Sequence, residues 1–281
     1  MKKALRLLLL LPLGLFSGCG DDTAPAVEAI DCQASQIILS ATGFQPATIN
    51  IGLNGNKVLS VNGGGLALVF THAGDSISTV SGTTKEVAFI EGGKVMRHEY
   101  KPANPGKGAR TENRLLGTFT YNGSQLTKVT YKNYNFTFGA TNNSLATTQL
   151  NSTEYTFKYD ASGNLTGVDH TLIPVSGGSV PNAYKTMLLE YSNNVMPKSA
   201  TVPFFSINTQ IFESYLLGFT TQLKLFNKVP SKFGYTDRSQ NPVEVRAFTY
   251  NSTLDAKGNV TKLVEISTSR TTTSELTYKC P

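Results

Sequence analysis

The sequence predicts an all-β protein: one large antiparallel meander curled into a barrel or half-barrel. Three observations indicate this fold. Hairpin units recur along the chain, the composition includes 25 Gly and no Trp, and helical periodicity is confined to one segment. About seven hairpins predict roughly a dozen strands or more. A meander of that length tends to curl, because curling hides its edge strands.

Three segments show the hairpin unit most clearly. They are "FTYNGSQLTKVTY", "FKYDASGNLTGVDH" and "FTYNSTLDAKGNVTKLVEI", which begin at Phe119, Phe157 and Phe248. Each begins Phe-x-Tyr, so two aromatic residues share one face of a strand. Asn, Asp, Gly or Ser then favour a tight turn. Two apolar residues three positions apart follow, such as Leu165 and Val168, so either a β-bulge separates them or the first packs at the mouth of the turn.

Looser copies of the unit predict further turns. Glycine or asparagine corners occur at 53–56, at Gly92-Gly93 and at Asn193-Asn194, and another turn is predicted at 239–242. The glycine-rich stretch 61–68, "VNGGGLAL", lacks the Lys-Ser/Thr of a phosphate-binding loop, so it is interpreted as a hairpin loop. The last segment, "TSELTYKC", alternates in polarity as a strand does.

One segment, "INTQIFESYLLGFTTQLKLF", has a helical pattern instead. Apolar residues recur every fourth position from Ile211 to Leu223, which predicts one or two short helices near 208–227. Asn208 or Thr209 is the predicted N-cap, and Gly218 is the predicted weak point. The helix either packs on the sheet as core filler or forms a lid or plug across one mouth of the barrel. The candidate lid or plug residues are Ile211, Phe212, Tyr215, Leu216 and Phe219.

The N-terminus is predicted to be an export signal. Residues 1–18 carry three basic residues followed by an apolar core too short to span a bilayer as a helix. Residues 19–31 are polar and acidic and contain Pro, which predicts a disordered tether. Residues 32–281 remain as the barrel-like domain. Cys19, the residue that follows this signal, is either a functional part of it or occurs by chance after an ordinary secretory signal.

The end of this signal, Phe16-Ser17-Gly18-Cys19, resembles the lipobox of bacterial lipoproteins, although Phe16 departs from the usual aliphatic residue. The resemblance implies cleavage before Cys19 and acylation of the Cys19 thiol by palmitate. The acidic residues that follow resemble those of outer-membrane lipoproteins of the Bacteroidota. A membrane contact through this lipid anchor and a location at the cell outer membrane are therefore expected. The sequence leaves open whether the protein faces the periplasm or the exterior.

The net charge bears on nucleic-acid binding, and the two remaining cysteines bear on a disulfide. The chain has 25 Lys+Arg and 19 Asp+Glu, and three basic residues precede Cys19, which leaves 22 − 19 = +3 after cleavage. These charges are scattered, so no nucleic-acid partner is expected. Export to an oxidising compartment predicts a disulfide between Cys32 and Cys280, which would join the two ends of the domain. Two free thiols are the alternative.

The repeated units also resemble a family of Bacteroidota lipoproteins of unknown function that carry a porin-like antiparallel β-sheet. The resemblance covers about 119–266. It includes the run "LLGFTTQLKLFNKVPSKFGY", and the unit is also similar to the tyrosine-aspartate repeats of large secreted shell proteins. The family implies a fold and a location. It implies no activity and no site residues.

The sequence shows no catalytic signature. His72, His98 and His170 lack metal-ligand spacing, so no metal or other cofactor is predicted. Asp169 and His170 are neighbours on a strand and therefore point to opposite faces. We therefore expect a non-enzymatic lipid-anchored envelope protein that binds a hydrophobic ligand, a glycan or a partner protein. The alternatives are a structural or adhesive surface module with a filled interior and a hydrolase with a dispersed site.

Overall fold

The computed structural model of the chain describes residues 32–55, 57–175, 183–195, 204–220, 222–223 and 225–280. The first eight strands are β1 (Gln33–Ala41), β2 (Ala47–Asn54), β3 (Lys57–Gly63), β4 (Leu66–Ala73), β5 (Ser76–Ser81), β6 (Thr84–Glu91), β7 (Lys94–Pro102) and β8 (Arg110–Asn122). The other eight are β9 (Gln125–Phe138), β10 (Ser144–Tyr159), β11 (Leu165–Pro174), β12 (Lys185–Val195), β13 (Lys228–Asp237), β14 (Glu244–Leu254), β15 (Val260–Ile266) and β16 (Thr271–Lys279). Two short helices, α1 (Phe205–Phe212) and α2 (Tyr215–Phe219), separate β12 from β13.

The sixteen strands form one closed antiparallel barrel in which each strand pairs with its neighbours along the chain. Pairing of β1 with β16 closes the sheet. The predicted all-β curled meander is therefore confirmed, and it forms a complete barrel rather than a half-barrel. The predicted signal peptide, the tether and Cys19 lie outside the described residues.

The turns alternate between two ends of the barrel because the strands run up and down. We call the end that carries Cys32, Cys280 and the turns after even-numbered strands the cysteine end, and the other the far end. Cys32 and Cys280 form a disulfide, which confirms the predicted pair. This bond joins the chain just before β1 to the chain just after β16, beside the seam that closes the barrel.

The recurring units are bulged hairpins. Thr120 on β8 opposes Lys128 on β9, whereas the next pair is Tyr121 with Leu126. Thr127 is therefore the extra residue, and its hydroxyl donates to the carbonyl oxygen of Thr120 at 3.1 Å. The predicted bulge thus accounts for the spacing of three between the two apolar residues. The equivalent threonines of the other two copies make the same bond, Thr166 to Lys158 and Thr261 to Thr253, each at 3.2 Å.

Beside several of these bulges, a tyrosine of an adjacent strand supplies a hydrogen bond. Its hydroxyl donates to the carbonyl oxygen of an apolar residue that follows a turn, and this occurs at 2.8 Å for Tyr121 with Val95, Tyr159 with Leu126 and Tyr278 with Val260. A half-buried tyrosine needs a hydrogen-bond partner for its hydroxyl, and the bulge supplies one. Tyr121 and Tyr159 of the first two units thus link their strands to the preceding strand, whereas Tyr250 of the third unit bonds the Glu265 carboxylate at 3.0 Å.

The Asp-x-x-Gly-Asn turns are stabilised by hydrogen bonds within the turn. The Asp160 carboxylate accepts hydrogen bonds from the backbone N–H groups of Ser162 and Asn164, both at 2.9 Å. Gly163 has a φ of +79°, a conformation that glycine adopts without steric cost. Asp255 accepts the same pair of bonds in the turn between β14 and β15.

The helices lie inside the barrel. Phe212 of α1 contacts Phe119 of β8 and Phe157 of β10, with ring centroids 6.3 and 5.9 Å apart. Phe219 of α2 contacts Phe70 of β4, with centroids 6.2 Å apart. Contacts with strands so far apart around the sheet place the helical insert in the bore. The insert enters from the cysteine end, where β12 ends and β13 begins.

Three local predictions are wrong. The N-cap of α1 is Phe204, so Asn208 and Thr209 lie within the helix, because the helix extends upstream to bury Ile207. The helices separate at Glu213, which has a φ of +52°, and not at Gly218. Asn193 and Asn194 belong to β12, because pairing of Val195 with Lys228 extends the strand past them. In contrast, the turn predicted at Gly92-Gly93 lies between β6 and β7.

We predict that loss of the disulfide lowers the free energy of unfolding. The bond closes a loop with a sequence separation of 248. In the chain-entropy model such a loop contributes up to about 5 kcal/mol. The expected result is a lower urea midpoint for Cys32→Ser/Cys280→Ser than for the oxidised protein, measured by circular dichroism. The reduced wild type serves as the matched control and should have the same urea midpoint as the double variant. If the double variant has the same midpoint as the oxidised protein, the prediction is contradicted.

Candidate functional site

The helical insert divides the bore into an apolar half and a polar half. Of the predicted lid or plug residues, Ile211 and Leu216 are 0% exposed, Phe212 is 3% exposed and Phe219 is 1% exposed, whereas Tyr215 is 40% exposed. The four buried side chains fill the bore together with inward residues of the strands. Tyr215 lies instead at an open cavity on the opposite side of the insert.

This open cavity, which we call the chamber, has a volume of about 420 Å³. Its lining comes from the insert, with hydroxyl, amide, carboxylate and phenol groups from Ser206, Thr209, Gln210, Glu213, Ser214 and Tyr215. Lys185, at the far-end start of β12, places its ammonium 3.5 Å from the Glu213 carboxylate. The chamber therefore lies on the far-end side of the insert.

A buried wall carboxylate fixes the insert in place. Glu86 of β6 is 2% exposed, and it accepts hydrogen bonds from the Ser214 hydroxyl and, at 3.2 Å, from the backbone N–H of Leu216. Ser214 is the N-cap of α2 and also accepts a bond from the N–H of Leu217 at 3.1 Å. A carboxylate at a helix N-terminus satisfies N–H groups that lack partners within the helix. Glu86 thus binds α2 to the wall.

Glu86 belongs to a wider buried network. The His98 Nε2 atom lies 3.4 Å from a Glu86 oxygen, and His98 Nδ1 is hydrogen-bonded at 2.9 Å to the Tyr131 hydroxyl. The Tyr131 ring lies against Gly117, where an added Cβ would come within 2.5 Å of it. Only glycine at that position lets the ring approach the wall so closely. The network runs from β9 through β7 and β6 to the start of α2.

An aromatic row continues from this network around the wall. It consists of Tyr131, Tyr155, His170 and Tyr184, whose consecutive ring centroids lie 5.6, 4.0 and 6.1 Å apart. Burial, followed by the nearby Glu213 charge, raises the pKa of Tyr155 and of Tyr184 above the ordinary value. The phenols are therefore uncharged at neutral pH and act as hydrogen-bonding groups.

His170 is the unusual member of the row. It is 0% exposed, and neither ring nitrogen has a hydrogen-bond partner among the described residues. Burial lowers the pKa of His170 from 6.5 to about 3, and the Lys185 charge adds to this effect. Asp169 points to the outer face, where it pairs with Lys158 at 2.5 Å. The two neighbours therefore form no acid–base pair, as strand alternation predicts.

Two potentially reactive side chains are already hydrogen-bonded. Within the described ranges, the Ser214 hydroxyl bonds a carboxylate, and His72 bonds the carbonyl oxygen of Val58 at 2.8 Å. No three His, Cys, Asp or Glu side chains of the described part come together as a metal site. The chamber combines hydrogen-bond donors, hydrogen-bond acceptors and one aromatic ring around an open space.

Sequence reasoning missed the Glu86–Ser214 contact. The two residues are 128 positions apart, so no local pattern connects them. A signal for Glu86 does exist: it shares the inward face of its strand with Ala88, and a carboxylate in that position needs a buried partner. The identity of that partner depends on where the insert folds.

None of the described helices combines the length and the apolar character that crossing a bilayer requires.

Comparison with known proteins supports the fold. No family model and no curated protein matches the chain. A porin-like protein from Bacteroides vulgatus ATCC 8482 superimposes with a TM-score of 0.57 at 15% identity, over 89% of this chain and 99% of that one. A porin-like protein from Bacteroides uniformis ATCC 8492 gives 0.53 at 14% identity, over 88% and 96%. At these identities the likeness shows a shared β-barrel fold.

We predict that Glu86→Ala loosens the insert and destabilises the barrel by about 3 kcal/mol, because it leaves buried donors without a partner. Urea unfolding would measure the loss. Glu86→Gln keeps an acceptor at the same position and should cost less. The control is Glu154→Ala, which removes an outer-face partner of Lys128 and should cost at most about 1 kcal/mol. Equal effects for Glu86→Ala and Glu154→Ala would refute this role for Glu86.

We predict that His170 makes the protein less stable in acid. The unfolded chain binds a proton at His170 near pH 6.5, whereas the folded chain does so only near pH 3. Stability therefore falls as pH drops from 6.5 towards 3. In His170→Phe, the loss of unfolding free energy between pH 7 and 4.5 should shrink by about 2 kcal/mol. Tyr155→Phe, which keeps the ring beside His170, should retain the wild-type slope; identical slopes for His170→Phe and wild type would disprove the prediction.

Proposed function

We propose that this chain is a non-enzymatic, lipid-anchored protein of the outer envelope whose barrel binds a glycan in the chamber. The observation that carries the proposal is the lining of the chamber. The insert fills the bore with its apolar residues and turns Gln210, Glu213 and Tyr215 towards an open space of about 420 Å³. A polar ligand can supply hydrogen-bond partners to these polar side chains, which an apolar ligand would leave without partners.

The chemistry of the chamber favours a glycan over a hydrophobic ligand. Sugar hydroxyls both donate and accept, so they match the Glu213 carboxylate, the Gln210 amide and the hydroxyls of the insert. Tyr215 adds an aromatic ring that is 40% exposed. A hydrophobic ligand would need the apolar half of the bore, which the insert already occupies. This occupation supports the predicted plug role of the insert.

The outer wall supports contact with the membrane through an anchor rather than through the strands. Ion pairs cross the outward face, including Lys128–Glu154 at 2.8 Å and Lys232–Glu190 at 2.8 Å. A charge on a lipid-facing strand costs about 2–4 kcal/mol at the bilayer midplane. A water-exposed barrel tethered through acylated Cys19 fits this wall, and the porin-like neighbours fit an envelope protein.

The second candidate is a structural or adhesive surface module that works through its loops. The filled apolar half of the bore favours it, because a packed interior stabilises the body without a ligand. The two candidates differ in one measurable respect. Only the first requires saturable binding that depends on the chamber.

The test is isothermal titration of the full exported chain, in detergent, with neutral gluco-, manno-, xylo- and galacto-oligosaccharides. We expect at least one to bind, and we expect Gln210→Ala/Tyr215→Ala to weaken it about tenfold or more through lost hydrogen bonding and stacking. Tyr134→Ala is the matched control, because Tyr134 lies on the outer face against Phe136. No binding by the panel, or equal weakening by the control, would favour the structural module.

A further inference from the structure

A second and larger cavity lies at the cysteine end. This cavity, which we call the cleft, has a volume of about 710 Å³, the size of pockets that hold small ligands. Its lining combines the hairpin turns around Gly92, Gly123 and Gly163 with described residues of the chain that returns from α2 to β13, among them Gln222 and Asn227. The insert separates the cleft from the chamber.

The walls of the cleft are fixed by contacts between these segments. The Asn227 side-chain amide donates to the carbonyl oxygen of Gly163 at 3.0 Å, which ties the returning chain to the turn between β10 and β11. The Gln125 amide nitrogen also approaches Gly163, since an added Cβ there would lie 3.1 Å from it. Leu223 and Leu225 of the returning chain are buried. The cleft is thus built by the fold and not by one flexible loop.

The electrostatics of the cleft differ from those of the chamber. Among the described residues of its lining, Lys94 is the one that is charged, and none is a carboxylate. The Lys94 ammonium donates to the carbonyl oxygen of Gly123 at 2.7 Å and lies 5.4 Å from the centroid of the Tyr121 ring. These contacts hold the ammonium in place and use one of its three N–H donors. An anionic group in the cleft would therefore meet a positioned cation.

The uncharged groups of the cleft suit a saccharide. The hydroxyls of Tyr121 and Tyr159 already donate to the carbonyl oxygens of Val95 and Leu126, so these residues offer ring surface to a ligand. Amides and hydroxyls supply both donors and acceptors, from Asn122, Ser124, Gln125, Ser162, Gln222 and Asn227. Aromatic surface beside paired donors and acceptors matches a sugar ring with its hydroxyls.

We propose that the cleft is a second binding site, for an acidic saccharide whose anionic group pairs with Lys94 while its sugar rings lie against Tyr121 and Tyr159. The ligand is either a free acidic oligosaccharide or the acidic sugar head of a glycolipid. The site is independent of the chamber, because the two share no lining residue. Binding weakens as salt rises, because the ion pair at the mouth of a surface cleft is screened.

The test uses the full exported chain in detergent, titrated with oligogalacturonate as the free probe. Lys94→Gln should weaken binding about tenfold, the usual effect of losing one charge-assisted hydrogen bond. Lys132→Gln is the matched control, because Lys132 is exposed on the outer face of β9 opposite Leu116. The control should bind as the wild type does. Equal losses for the two variants overturn the proposal.

A second titration uses a monosialylated glycolipid in the same detergent and distinguishes the two sources. If the glycolipid binds more tightly than oligogalacturonate, the ligand is the sugar head of a glycolipid. If oligogalacturonate binds more tightly, the ligand is a free oligosaccharide. Binding of neither probe overturns the proposal. Gln210→Ala/Tyr215→Ala should leave both titrations unchanged, so failure of the cleft and failure of the chamber are separate results. Binding of an acidic probe that needs Gln210 but not Lys94 would place it in the chamber.

Discussion

The width of the barrel is the constraint on which the rest of this structure depends. Strand side chains fill the interior of an eight-stranded barrel, whereas a barrel of sixteen leaves a channel. Here the strands bury apolar residues inward and charged pairs outward, so an empty bore would expose the whole core to water. The helical insert occupies the bore and so shields these apolar side chains from water. Its position depends on Glu86, whose buried carboxylate binds Ser214 and the N-terminus of α2.

The sheet that surrounds the insert is held by a repeated local device. In each clear copy a threonine forms the bulge, an aspartate or asparagine begins the turn, and a tyrosine hydroxyl reaches the carbonyl oxygen exposed beside the bulge. Bulges increase the local twist and curvature of a strand, and repeated curvature brings β1 to β16. The Cys32–Cys280 disulfide then lies beside this seam. The residues that form the turns and bulges therefore also contribute to closure of the barrel.

The insert also gives the two ends of the barrel different chemistry. On the far-end side it presents Glu213 and Tyr215 beside the Lys185 ammonium. At the cysteine end the returning chain completes a cleft whose lining includes the Lys94 ammonium. One segment thus fills the core and shapes both cavities. A change in its packing would alter both sites.

The sequence by itself determined the strand-rich class, the curled meander, the disulfide and the presence of a short helical segment. Polar–apolar alternation and turn residues determine secondary structure locally, and two cysteines exported to an oxidising compartment predict a disulfide. It also indicated that Asp169 and His170 face opposite sides. Only the tertiary structure decided that the sheet closes, that the helices enter the bore and end at Glu213, and that Glu86, His98 and Tyr131 meet. Those contacts join strands and helices far apart in the chain. Their partners are set by barrel closure and packing, which no local pattern encodes.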